Sequence, residues 1–173
     1  MHIRTAESGD VRKLTALYKS VARQGGGIPQ REEEVTDEFI ERFLNKSISR
    51  GIGLVVESPQ DPDMLVAEIH AYKPHALILD HLLTDLTIVV HPDFQRQKFG
   101  RTSLTIFLEE IALNHPDIGK VELVVSESNH RAIALYQSMG FTIEGRLEMR
   151  IKSAEGDYEA DIPMGWINPN FDF

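Results

Sequence analysis

The chain of 173 residues contains no cysteine. Disulfides, a thiol nucleophile and thiolate metal ligands are therefore excluded. No apolar run approaches the roughly 20 residues that a membrane helix needs. The first residues, Met-His-Ile-Arg-Thr-Ala-Glu, lack a signal peptide's apolar core, so a cytoplasmic location is expected. Basic residues are in deficit, 18 against 27 acidic ones, and the net charge is −9. That balance argues against nucleic acid as a partner and suits cationic or amine substrates. Neither G-x-G-x-x-G nor G-x-x-x-x-G-K-S/T occurs, which removes the dinucleotide fingerprint and the P-loop.

What remains is ordinary for a globular protein, with 42% hydrophobic and 26% charged residues. The length suits one well-buried domain over residues 1–173 and is too short for two large ones. A first strand at 2–5 and a turn at 8–10 lead into a helix marked by Val11, Leu14, Leu17, Tyr18 and Val21. That helix should stop at Gly25, Gly26 and Gly27. Phe39, Ile40, Phe43, Leu44 and Ile48 give a second amphipathic helix. Strands follow at 51–57, 64–72 and 82–90, then a helix over 98–114, a strand at 121–125 and a helix from Asn129 that closes at Gly140. A last hairpin pairs 141–151 with 158–166 around a turn at 153–157. The order β-α-α-β-β-β-α-β-α-β-β describes one α+β domain, a mixed, mostly antiparallel sheet of about seven strands flanked by about four helices.

Two segments carry chemistry. Residues 91–101 join a strand to a helix and are locally basic, with Arg96, Lys98 and Arg101. A helix N-terminus presents unpaired N–H groups and the positive end of the helix dipole, a ready site for phosphate. An ordinary solvated turn would look the same. The second segment opens a helix with Asn129, in good N-cap position, and carries Ala132 and Tyr136 one turn apart on one face before Gly140 and Phe141. Alone, Asn129 reads equally as a plain cap and Tyr136 as a core aromatic.

Together, in this order and spacing, the two segments resemble the GNAT superfamily of acetyl-CoA-dependent N-acetyltransferases. The resemblance spans residues 3–166. The family's cofactor turn, R/Q-x-x-G-x-G/A, reads here Gln95, Arg96, Gln97, Lys98, Phe99, Gly100; the first glycine is Lys98. The resemblance implies a single-domain GNAT fold and acetyl-CoA as cosubstrate. It implies that Ile88, Val89 and Val90 pair with the pantetheine arm, that residues 96–101 (ending at Arg101) hold the pyrophosphate, and that Asn129 touches the thioester region. Tyr136 takes the position of the acid that protonates the leaving thiolate. The acceptor is then an amine, of a small molecule or a protein N-terminus, and a homodimer is compatible.

The base is less marked. Some relatives carry a glutamate in that strand; the nearest match is Thr84, with Asp85 beside it on the opposite pleat. Asp85 is taken as the candidate base; Glu68, His75, His81 and Glu127, or a chain of waters, are alternatives, each of these residues also readable as a plain polar one. No carboxylate–histidine spacing supports a metal site. The glycine-rich segment at 25–34, with Glu32, Glu33 and Glu34, could attract a cationic acceptor or be a mobile acidic loop. Trp166 reads as core rather than substrate wall. Two rival functions stand beside the enzyme: an acyl-CoA-binding or sensing domain without turnover, which Lys98 favours, and a nucleotide-binding regulatory domain.

Overall fold

The computed structural model describes residues 2–25, 27–152 and 156–172. Gly26 in the expected helix stop and residues 153–155 in the expected last turn lie outside them. The chain divides into two compact units, residues 1–72 with 87–110, and residues 73–86 with 111–173.

The first unit holds β1 (His2–Thr5), α1 (Val11–Gln24), α2 (Asp37–Arg50), β2 (Gly51–Glu57) and β3 (Leu65–Tyr72). It also takes the end of β4 (Leu82–Val90) and most of α3 (Phe99–Asn114). Its strands run in the order β1-β2-β3-β4. β1 and β2 are antiparallel, with His2 opposite Glu57, and so are β2 and β3, with Gly51 opposite Tyr72. Leu14, Leu17, Tyr18 and Val21 recur at helical spacing on α1 and bury against Ile40, Phe43 and Leu44 of α2. Ile48, assigned to that stripe by periodicity, is instead half exposed, at the end of the helix. α2 starts where Thr36 accepts the Phe39 N–H at 3.2 Å. Asp10 precedes α1 without capping it through its side chain. Its carboxylate accepts from the two terminal guanidinium nitrogens of Arg4, each at 2.8 Å, and from the Glu7 N–H, tying β1 to the helix start. All eight residues of β3 are buried, so both faces are covered, and Glu68 and His70 are buried with them.

The second unit holds the start of β4, the end of α3, β5 (Lys120–Ser126), α4 (His130–Ser138), β6 (Thr142–Ile143), β7 (Leu147–Lys152) and β8 (Tyr158–Ile167). Here β4 and β5 are parallel, with Leu82 opposite Lys120. β5 and β8 are antiparallel, from Lys120 opposite Ile167 to Ser126 opposite Asp161. β6 and β7 both pair with β8. The strand expected at 141–151 is thus broken in two, and the described residues form eight strands and four α-helices. The break has a cause in Pro163. Its carbonyl accepts the Glu144 N–H at 2.9 Å, but it has no N–H to return on that side of the strand. Gly140 takes φ 92° behind α4, as its place predicts, and lets the Phe141 N–H return to the Tyr136 carbonyl at 3.0 Å. Trp166 is buried, as expected of core.

Candidate active site

In the first unit the site begins where β4 ends. His91 caps a short 3-10 turn, Pro92–Phe94, its Nδ1 accepting the Asp93 N–H at 3.3 Å. Phe94 meets both His91 and Phe99 edge to face at 5.8 Å. Phe94, Phe99 and Val90 pack on Val56, Val66 and Ala67. Apolar anchors therefore hold both ends of the segment 95–98, while Arg96, Gln97 and Lys98 stay exposed between them. Gln95 reaches Gln24 of α1 through Nε2 at 3.0 Å, and Gln97 returns to the Asp93 carbonyl at 3.0 Å.

The backbone of this turn is unusual. Arg96 has φ 63° and Lys98 φ 68°, both left-handed. An L-residue there costs roughly 1–2 kcal/mol, which glycine avoids. The position where the family carries glycine is thus a left-handed one, and here lysine adopts it. Such a turn aims N–H groups inward at an anion. The first helical bond of α3 is Thr102 N–H to Lys98 C=O at 2.9 Å. The N–H groups of Lys98, Phe99 and Gly100 therefore have no acceptor inside the helix. A Cβ on Gly100 would meet Val90 only at 3.5 Å, an ordinary contact, so either small residue of the family pattern fits. Arg96 and Lys98 have no ion-pair partner among the described residues. The donors and charges of this turn fit a pyrophosphate.

In the second unit Asn129 caps α4 as expected, its side-chain oxygen accepting the Ala132 N–H at 3.1 Å. Tyr136 is buried, its ring 5.6 Å from Phe141. Burial pushes its phenol up to about 12, so it carries its proton at neutral pH. The hydroxyl has no hydrogen-bond partner among the described residues. It is not sealed in, since the one sealed side-chain polar atom without a partner among them is Ser103 Oγ. A protonated phenol of this kind can donate a hydrogen bond or a proton.

The candidate bases separate clearly. Asp85 is exposed on β4, and its φ of 56° interrupts the regular pleat on which the sequence reading placed it opposite Thr84. Glu127 is held by Arg146 in two bonds of 2.7 Å. His75 is exposed in its loop and His81 lies 6.4 Å from the Phe171 ring. No metal-binding group forms among the described residues. Of the acidic run, Glu32 pairs with Arg23 and Glu34 closes on the Arg31 N–H, so two of the three carboxylates serve the loop itself. Glu68 is engaged by Tyr18, which the sequence reading placed only in a helical stripe, and by His70, which it did not name. The signal was available, since Glu-x-His on a strand puts both side chains on one face.

The helix-start turn after β4 and the capped helix carrying Tyr136 after β5 stand in the order that the resemblance to acetyltransferases implies. The chain belongs to the acetyltransferase (GNAT) family, which matches residues 29–141. It is 28% identical, over 79% of this chain and 80% of the relative, to the ribosomal protein bS18 alanine N-acetyltransferase of Escherichia coli K12. A GNAT acetyltransferase from Streptococcus pneumoniae superposes with a TM-score of 0.84 at 25% identity, covering 96% of this chain and 98% of that one. The structure of yncA from Salmonella typhimurium, with its cofactor acetyl-CoA, matches with a TM-score of 0.82 at 16% identity over 100% and 96% of the two chains.

Proposed function

We propose that this protein, as one domain over residues 1–173, transfers an acetyl group from acetyl-CoA to a primary amine by direct attack. The observation that carries the reading is the left-handed turn at Arg96 and Lys98, set at the start of α3. Gln95, Arg96, Gln97, Lys98, Phe99, Gly100 and Arg101 hold the pyrophosphate through backbone N–H groups. Ile88, Val89 and Val90 take the pantetheine arm, and Asn129 the thioester region. A strand-end N–H near Val90 donates to the thioester oxygen as negative charge develops there. Tyr136 gives its proton to the departing thiolate. Asp85, three residues before Ile88, is the exposed carboxylate that receives the amine's proton on its way to solvent.

Lys98 holds φ 68°, a left-handed conformation that glycine adopts without strain, and this supports the catalytic reading over a non-catalytic one. The acceptor is the amine of a small molecule or of a protein N-terminus; the E. coli relative, named for an alanine of a ribosomal protein, supports a protein acceptor. A cytoplasmic location accords with a substrate of this kind; no described helix is long and apolar enough to cross a membrane. The test is a calorimetric titration with acetyl-CoA, followed by thiol release with alanine-initiated peptides and polyamines. Saturable binding with release for one class supports the proposal. Binding without release for any amine would favour a sensor, and equal affinity for ADP and CoA a nucleotide-binding domain.

A further inference from the structure

Glu68 and His70 lie two apart on β3, on one face of the strand, 1% and 4% exposed. Ionisable groups this deep are tolerated when their polar atoms are used. Those of Glu68 are. The Tyr18 hydroxyl donates to Oε2 at 2.7 Å, and His70 Nδ1 lies 2.9 Å from Oε1. Burial, then the charge of Glu68, hold the Tyr18 phenol well above its usual range, so it remains a donor. The carboxylate therefore accepts from Nδ1–H, which leaves the lone pair of the imidazole on Nε2. The ring is clamped, with Phe43 stacked at 4.2 Å and Tyr72 parallel at 6.0 Å. Nε2 itself has no partner among the described residues and is not sealed from solvent.

A carboxylate that orients an imidazole through one nitrogen and leaves the other free is the arrangement of a general base. The location also fits. Val66, four residues earlier on β3, accepts the His91 N–H at 2.8 Å, which ties this strand to the end of β4. Val89, in the middle of the proposed pantetheine segment, belongs to the same core cluster as Tyr18, Phe43 and Tyr72.

Resting on the acetyltransferase reading, we infer that His70 is the base that first takes the acceptor amine's proton, with Glu68 and Tyr18 as its positioning residues. His70 Nε2 removes one proton from the ammonium, directly or across one water. The freed nitrogen lone pair forms the C–N bond to the thioester carbon, and the C–S bond breaks. The thiolate takes the Tyr136 proton, and the proton leaving the new amide nitrogen restores the phenol. His70 then passes its proton to solvent. The net change is ammonium and thioester to amide, thiol and one proton.

The test measures kcat, acetyl-CoA affinity and melting temperature in H70Q, H70A and E68Q. H70Q keeps much of the volume without a base; kcat should fall about 10²–10³-fold with acetyl-CoA affinity within about twofold. Imidazole added to H70A should restore turnover in proportion to its concentration, and E68Q should lower kcat by a smaller factor. Wild-type turnover in H70Q overturns the assignment. So does activity lost only in step with melting temperature and not restored by imidazole, and so does loss of turnover in D85N with H70Q active. A wild-type protein that binds acetyl-CoA and releases no thiol with any amine fails the acetyltransferase reading and this inference together. An active wild type with an active H70Q fails only the inference.

Discussion

Replacing Lys98 by glycine tests the reading of the cofactor turn without touching the chemistry. Lys98 sits at φ 68°, and its carbonyl starts α3 by accepting the Thr102 N–H. Relieving a left-handed L-residue returns roughly 1–2 kcal/mol. Glycine loses some of that by loosening the unfolded chain, roughly 0.4–1 kcal/mol. The net effect of K98G lies between roughly zero and 1.5 kcal/mol of added stability, a melting temperature unchanged or raised by up to about 6 °C at this chain length. The control is Ala16→Gly, at an exposed position inside α1, where no strain is relieved and about 1 kcal/mol should be lost. Differential scanning calorimetry of the two variants decides the matter. If K98G melts as far below wild type as A16G does, the turn does not require a left-handed residue there, and the explanation of the missing family glycine fails.

Other perturbations read other parts of the structure. Gly140→Ala forces a Cβ onto φ 92° and to 3.4 Å from the Trp166 ring, and should cost about 1–2 kcal/mol in urea unfolding. Asn129→Ala removes the cap on the Ala132 N–H and should cost about 1 kcal/mol while shifting acetyl-CoA binding. The Arg4 guanidinium, with the Glu7 N–H, holds the Asp10 carboxyl below its usual range. A depressed folded-state value stabilises above the unfolded value of about 4 and is lost as pH falls through the folded one. Asp10→Asn should therefore cost about 1.5–3 kcal/mol at pH 7, and the gap to wild type should close as the pH drops below about 4.

The sequence made much of this fold legible because its signals are local. Helical spacing from Val11 to Val21 marked α1, and Asn129 and Gly140 marked the two ends of α4. What it missed depends on partners distant in the chain. The break between β6 and β7 follows from Pro163 on another strand. Ile48 keeps the period of α2 but lies at its exposed end. At the candidate site, Lys98 looked like a departure from pattern because residue type was visible and φ was not. Glu68 was one carboxylate among several until Tyr18, fifty positions away, was seen to donate to it. Asp85 stood out by its place on the strand, but its left-handed backbone takes it off the regular pleat.

The central claim is that the phenol of Tyr136, kept protonated by burial, completes acetyl transfer by protonating the departing thiolate. The most direct measurement is steady-state thiol release by Tyr136→Phe at saturating acetyl-CoA and amine, with the acetyl-CoA dissociation constant measured alongside. In Y136F kcat should fall about 10²–10⁴-fold while acetyl-CoA affinity stays near that of the wild type. Turnover by Y136F close to the wild-type rate would contradict it.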